Sequence, residues 1–150
     1  MFKSFFSKKV KDIDKKTIDK IILVSNEHIG NDRLLNKTFG IRIYDSSIAP
    51  FAKQGDQYPL EGSYTFSTTT DFQDQITLEF HWSYESKATH ESYLGTLRIQ
   101  GYKLEKAEGP MVRVHYLIDD NQIAIWATND KNNSKLSFEL LKNAEGEVVH

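Results

Sequence analysis

The sequence predicts a mainly β protein: an antiparallel β-sandwich of about eight strands, with a short N-terminal arm made of a helix and a strand. The chain has 150 residues, enough for one domain and a short arm. From Thr38 onward, apolar and polar residues alternate with a period of two, which places the apolar side chains on one face of a strand. Polar turn residues separate these runs, so successive strands are expected to run antiparallel.

The arm comes first along the chain. Asp12 or Asp14 is expected to cap a short helix that ends at Asp19. The apolar run 21–24 predicts a buried strand, and the polar stretch 26–36 predicts a connector. The last ten residues are expected to fray. We therefore predict an arm and connector over residues 1–36, a sandwich over 37–141 and a tail over 142–150.

Eight runs predict the strands of the sandwich. The clearest is 76–84, where five apolar residues alternate with polar ones, whereas a helix would spread them around its whole surface. In chain order the strands are predicted at 39–43, 51–53, 64–68, 76–84, 97–99, 112–118, 123–125 and 136–140. Asp, Asn, Ser and Gly, which favour turns, occupy the stretches 45–47, 54–56, 71–74, 119–121 and 129–133.

Composition and charge exclude several classes of function. The net charge of −2 provides no broad positive field for nucleic acid, although residues 1–20 carry +4 and the rest carry −6. With no cysteine, the chain has no disulfide, thiolate nucleophile or Cys-ligated metal. No apolar run is long enough for a membrane span or a signal peptide, so we predict a cytoplasmic protein. The stretch 2–9 could touch a membrane surface, but a terminus without fixed structure is the favoured interpretation.

The sequence offers no catalytic or metal-ligating constellation. The histidines lack a ligand spacing, and His81 and His115 fall at polar positions that a solvated strand face explains. No serine lies in a nucleophile elbow, and no glycine-rich loop could hold phosphates. The stripe Phe80, Trp82 and Tyr84 could stack on sugars or bases, but the core face of a strand is favoured at Phe80. We predict no enzymatic activity, catalytic residue, metal or cofactor.

A series of short motifs extends over residues 38–141. In order, they are Phe39-Gly40-Ile41, Tyr58-Pro59, Phe66-Ser67-Thr68, Asp71-Phe72-Gln73, Leu94-Gly95, Pro110 with Val112 and Val114, Ile118-Asp119 and Asp130-Lys131. Each motif alone is weak, but the ordered series needs no gap. It resembles the peptide-binding β-domain of the heat-shock protein 70 chaperones.

The resemblance implies a groove between loops at one end of the sandwich, which holds a short extended peptide with an aliphatic side chain in a central pocket. The family's pocket positions correspond to Ile41, Ile43, Phe66, Ile76, Leu78 and Val112. The residues that arch over the peptide correspond to Tyr44 and Thr69, and main-chain bonding to the peptide would involve Ile43, Ser67 and Gln73. Two departures are a polar first loop in place of a glycine-rich one, and a tyrosine at position 44 that would fill or cover the pocket.

The arm is similar to the family's strand that approaches the nucleotide phosphates, through the stretch 18–24. In the family this strand leads into a glycine pair, but here Ser25-Asn26-Glu27-His28 follows it, so the phosphate-binding glycines are absent. Most of the nucleotide-binding domain and the helical lid have no counterpart. At the position that would face the lid, Ala107 offers no charge for a latch, although Asp71 remains. The resemblance therefore implies weak, reversible peptide binding without ATPase activity.

Three functions remain open at this point. The first is chaperone-like binding of extended hydrophobic or unfolded polypeptide segments in a stress response. The second is a regulatory or structural module with a blocked groove that binds a specific protein, for which a full-length chaperone is one candidate. The third is carbohydrate binding through Trp82 and Tyr84. In each case a bound polypeptide, protein or sugar is the partner; no nucleic acid is expected, a membrane is disfavoured, and the oligomeric state stays open.

Overall fold

The structure is a computed structural model that describes residues 20–25 and 29–149. These residues form a two-layer antiparallel β-sandwich. The predicted fold class is confirmed. The strands are β1 (Ile21–Ser25), β2 (Gly30–Asn31), β3 (Leu34–Leu35), β4 (Thr38–Arg42), β5 (Ile48–Ala52), β6 (Leu60–Ser67), β7 (Ile76–Ser83), β8 (Tyr93–Gln100), β9 (Met111–Ile118), β10 (Gln122–Asn129) and β11 (Ser137–Lys142). The eight predicted strands correspond to β4–β11. The predicted arm helix lies outside the described residues.

One sheet has four strands in the order β1-β10-β9-β6, and the other has five in the order β11-β8-β7-β4-β5. A two-stranded ribbon, β2-β3, lies in the stretch predicted as a connector. The strand predicted in the arm is part of the four-stranded sheet, where Ile21 pairs with Ile125 of β10. How the arm and the sandwich divide into domains stays a prediction.

Alternation along the strands places the core between the two sheets. In β9, Val112, Val114, Tyr116 and Ile118 are buried, and the residues between them are half-buried. Aromatic rings fill the centre of the core: Phe39 stacks on Phe80, with ring centroids 5.5 Å apart, and meets Phe51 edge-on at 5.6 Å. Offset and edge-to-face pairs of this kind add to the free energy gained by burial alone.

Gly40 explains one of the motifs in the sequence. A Cβ atom at this position would lie 2.3 Å from the carbonyl oxygen of Ala49 in the neighbouring strand. The pairing of β4 with β5 is irregular at this point, between Phe39 and Gly40. Only a residue without a side chain allows the two backbones to approach so closely.

The chain folds back on itself after β11. Asn143 donates a backbone hydrogen bond of 3.0 Å to Glu147, and Val149 donates one of 2.9 Å to Leu141. The expectation that this stretch frays is therefore wrong for residues 142–149, because the backbone groups of a short turn hydrogen-bond to β11. Across residues 20–25 and 29–149, no helix has the length and apolar character that a membrane crossing requires.

Candidate functional site

Strand register brings three loops to one end of the sandwich. Ile41 near the end of β4 pairs with Phe80 of β7, and Ile76 at the start of β7 pairs with Ile99 near the end of β8. Ser67, the last residue of β6, pairs with Met111, the first residue of β9. The loops 43–47, 68–75 and 101–110 therefore lie together at this end, which we call the groove end.

The ten residues predicted for the site divide into two groups. The residues of the first group lie in the strands, with at most 8% of their surface exposed except at the half-buried Phe66; they are Ile41, Phe66, Ile76, Leu78 and Val112. Those of the second group lie in or beside the loops and are exposed or half-buried; they are Ile43, Tyr44, Ser67, Thr69 and Gln73. The first group belongs to the core or packs against it. Four cavities lined by described residues have walls that contain none of the ten.

The loop 43–47 is a closed turn. The N–H group of Ile43 donates to the carbonyl oxygen of Ser47 at 3.0 Å, and Ser46 donates to the carbonyl oxygen of Ile43 at 2.9 Å. The carboxylate of Asp45 accepts hydrogen bonds from the backbone and the hydroxyl group of Ser47, and these bonds lower the pKa of Asp45. Both backbone polar groups of Ile43 are therefore already used within the loop.

The ring of Tyr44 projects away from this turn. Its relative exposure is 97%, so the ring makes almost no contact with the protein. The sequence predicted that a tyrosine would fill or cover the pocket, but in this conformation it does neither, because the tight turn directs the side chain into solvent. Ile43 beside it is 37% exposed.

Gln73 organises the loop 68–75. Its side-chain oxygen accepts the backbone N–H groups of Thr69 at 2.9 Å and Thr70 at 3.4 Å. Its side-chain nitrogen donates to the carbonyl oxygen of Gln75 at 2.7 Å. Gln73 therefore satisfies the polar groups of its own loop and fixes the position of Thr69.

The loops 68–75 and 101–110 are bonded to each other. Ala107 donates its N–H to the carboxylate of Asp71 at 2.9 Å, and Phe72 donates its N–H to the carbonyl oxygen of Glu105 at 2.8 Å. The hydroxyl group of Tyr102 donates to the carbonyl oxygen of Gln73 at 2.8 Å. These bonds hold Phe72 in a left-handed backbone conformation with its ring 63% exposed. The side chain of Asp71, predicted only as a remaining latch charge, thus bonds a neighbouring loop.

Tyr102 was not predicted from the sequence. Its ring is buried, and burial, with Asp74 nearby, raises the pKa of its hydroxyl group. Nothing in its local sequence marks it, since the partner carbonyl of Gln73 lies 29 residues earlier.

The prediction of a solvated strand face for His81 is wrong. Only 2% of its surface is exposed, and its ring nitrogens lie 2.7 Å from Ser92 Oγ and 2.6 Å from Glu79 Oε2. His115 is half-buried, and its ring stacks on Trp126 with ring centroids 5.1 Å apart. Burial, with a smaller effect of the Arg113 charge, lowers the pKa of His115 to about 4. Among the described residues, no cluster of three or more His, Asp or Glu side chains could hold a metal ion.

The aromatic stripe of β7 is divided between core and surface. Phe80 and Trp82 are buried, with 0% and 5% exposure, while Tyr84 is 66% exposed. The ammonium group of Lys37 lies 4.9 Å from the centre of the Tyr84 ring. A buried Trp82 cannot present its face to a sugar, so the stripe provides no stacking platform in this conformation.

The fold is therefore that of an antiparallel β-sandwich protein, and its candidate site is formed by loops that meet at one end of the sandwich. The chain belongs to the Hsp70 protein family, whose model matches residues 15–148. It is 24% identical over 107 residues to the chaperone protein DnaK of Mycoplasmopsis agalactiae (strain NCTC 10123 / CIP 59.7 / PG2). That match covers 71% of this chain and 18% of the relative, so the chain spans less than a fifth of the chaperone that it matches.

Proposed function

We propose that this chain is a chaperone-type module that binds extended apolar segments of polypeptides at its groove end and does not hydrolyse ATP. Membership of the Hsp70 family supports polypeptide binding as the type of function. The complete activity of the DnaK relative cannot be attributed to this chain from the similarity alone, because the match covers only 18% of that protein.

The observation that carries the proposal is that the loops 43–47 and 68–75 lie together at the groove end. The loops 43–47 and 68–75 supply the residues for which the family resemblance implies peptide contact, and they flank the start of β7. Leu78 and Ile76 in that part of β7 are 8% and 6% exposed, so both lie just below the surface. An extended peptide between the loops would form backbone hydrogen bonds along its length and place one apolar side chain over this floor.

One observation favours the alternative, a module with a blocked groove that binds a specific partner protein. Ile43, the residue expected to bond a peptide through its backbone, uses its N–H and carbonyl groups within the turn 43–47. Peptide binding at this position requires the loop to rearrange or the carbonyl oxygen to accept a second hydrogen bond. A full-length Hsp70 chaperone is one candidate partner in this alternative.

Fluorescence anisotropy with the full chain tests the proposal. The probe is a labelled seven-residue peptide with a central leucine, and the matched control has aspartate at the centre. We expect a dissociation constant on the order of micromolar or weaker for the leucine peptide. We also expect at least about tenfold weaker binding of the control, because an apolar floor cannot solvate a carboxylate. Equal affinities, or no binding of either peptide, would contradict the proposal.

A separate measurement addresses ATP. Ser25-Asn26-Glu27-His28 stands where the resemblance places a phosphate-binding glycine pair. The sequence after this strand therefore lacks the glycine motif whose backbone N–H groups hold phosphates. Titration calorimetry with magnesium-ATP is expected to show no binding heat above dilution, and a micromolar signal would overturn the ATP-independent part of the proposal.

A further inference from the structure

A cavity of about 350 Å³ lies on the outward face of the five-stranded sheet. Ser46 of the loop 43–47 lines it, but none of the ten residues predicted for the peptide site does. Its floor is a row of side chains that crosses four neighbouring strands. Thr96 of β8 pairs with Glu79 of β7 on one side and with Lys142 of β11 on the other. Arg42 of β4 completes the row, with its Nη1 atom 3.6 Å from Glu79 Oε1.

The carboxylate of Glu79 is already shared within the cavity wall. One oxygen faces Arg42, and the other lies 2.6 Å from Nε2 of the buried His81. Nδ1 of His81 lies 2.7 Å from Ser92 Oγ, so both ring nitrogens have partners and the imidazole is held in place. The positive charge of Arg42 therefore offsets the negative charge of Glu79, and His81 occupies its other oxygen.

Other donors in the wall remain available. Within the part of the chain that the structure describes, the ammonium group of Lys142 and the imidazole of His90 make no hydrogen bond or ion pair. Arg42 is 46% exposed in its side chain and donates only one long hydrogen bond, 3.2 Å to Ser46 Oγ, beside its contact with Glu79. Arg42 and Lys142 bring two positive charges against the one negative charge of Glu79, so the cavity wall keeps a net positive charge, with the imidazole of His90 beside it.

We propose that this cavity is a binding site for a small oxyanion, either a phosphate or a carboxylate group. Arginine and lysine on opposite sides of the cavity would supply charge-assisted hydrogen bonds to the anion, and the hydroxyl group of Thr89 lies in the same wall. The position is specific, because the sequence outside residues 1–20 carries a net charge of −6 and offers anions no general attraction.

The test is an NMR titration of the full chain, observing the imidazole signals of His81 and His90. Inorganic phosphate and sodium acetate are added in separate arms at constant ionic strength, and the two arms distinguish a phosphate ligand from a carboxylate. We expect saturable shifts of these signals in at least one arm, with a dissociation constant on the order of millimolar.

Variants assign the binding to the cavity. Lys142→Gln and Arg42→Gln should each weaken binding about tenfold, the equivalent of losing one charge-assisted hydrogen bond. Lys131→Gln, in the exposed turn after β10, is the matched control and should keep the parent affinity. Because Lys142 is exposed, its variant is expected to fold even if Arg42→Gln does not, and circular dichroism checks both. Shifts that stay linear in both arms, or affinities unchanged in Lys142→Gln, would overturn the proposal.

Discussion

The hydroxyl group of Tyr116 in β9 donates a hydrogen bond of 2.9 Å to the backbone carbonyl oxygen of Phe51 in β5. This bond crosses the core and joins the four-stranded sheet to the edge of the five-stranded sheet. A Cβ atom at Gly62 would lie 2.6 Å from the same hydroxyl group, so the glycine leaves the room that the bond needs. Burial, with Tyr64 and Asp56 nearby, raises the pKa of Tyr116 to about 12.

Tyr116→Phe should therefore destabilise the fold. The variant keeps the ring and leaves the carbonyl group of Phe51 without its donor, which typically costs about 1–3 kcal/mol in the free energy of unfolding. Urea denaturation monitored by circular dichroism measures this change. Tyr44→Phe is the matched control, because its ring is 97% exposed and its stability should stay within about 0.5 kcal/mol of the parent. An equal effect of both variants would mean that the bond between the sheets contributes nothing.

Stability should decrease in mild acid because of His115. Its pKa is about 4 in the folded chain and 6.5 as its ordinary value, so the unfolded chain takes up the proton first as the pH falls. The stability from the neutral imidazole is complete above pH ~6.5 and is lost as the pH falls through about 4, a change of at most about 3 kcal/mol. Urea denaturation between pH ~7.5 and ~5 should show a smaller decrease for His115→Gln than for the parent.

The control for that experiment is His90→Gln, because His90 is exposed. Its pH dependence of stability should match that of the parent. If His115→Gln also loses stability as steeply as the parent over this pH range, the imidazole of His115 is not the group responsible.

Ile76→Phe should weaken peptide binding at the groove end. Ile76 is 6% exposed at the start of β7, and a larger ring there would fill the floor on which a peptide side chain is proposed to rest. Overpacking commonly costs about 1–3 kcal/mol of stability, so circular dichroism must first show a folded chain. Ile22→Phe on β1, where the side chain is 45% exposed, is the matched control and should bind as the parent does. A folded Ile76→Phe chain with parent affinity would place the pocket elsewhere.

Tyr44→Ala tests the proposed arch. Because the ring is exposed and plugs nothing in this conformation, its removal cannot open a pocket; it can only remove a contact with bound peptide. We expect the release rate of a labelled peptide to rise about fivefold or more, as for an aromatic contact residue at an interface. Stopped-flow displacement measures this rate. Tyr84→Ala is the control, because Tyr84 is also exposed but follows the last residue of β7, whereas the groove end lies at the start of that strand. An unchanged rate would remove Tyr44 from the site.

The position of each strand could be predicted because the period of two is local. Five alternating apolar residues in and beside β7 are enough to assign a strand whatever else the chain does. The short β2-β3 ribbon was missed because two residues per strand carry no period. The site residues on β4, β6 and β7 were predicted from the ordered series of family motifs. Such motifs give positions along the chain, but they give neither the exposure of a side chain nor its hydrogen-bond partners.

What the sequence by itself determined is therefore the fold class, the eight strands of the sandwich and the family resemblance. Only the tertiary structure decided what His81 and Asp71 do. The alternation places His81 on the outward face of β7, but the partners that bury it, Glu79 and Ser92, meet it through strand pairing and the following loop. The carboxylate of Asp71 bonds Ala107, 36 residues later, because two loops end at the same edge of the sandwich. Periodicity fixes the face on which a side chain lies, whereas its burial and bonding depend on residues brought close from distant parts of the chain.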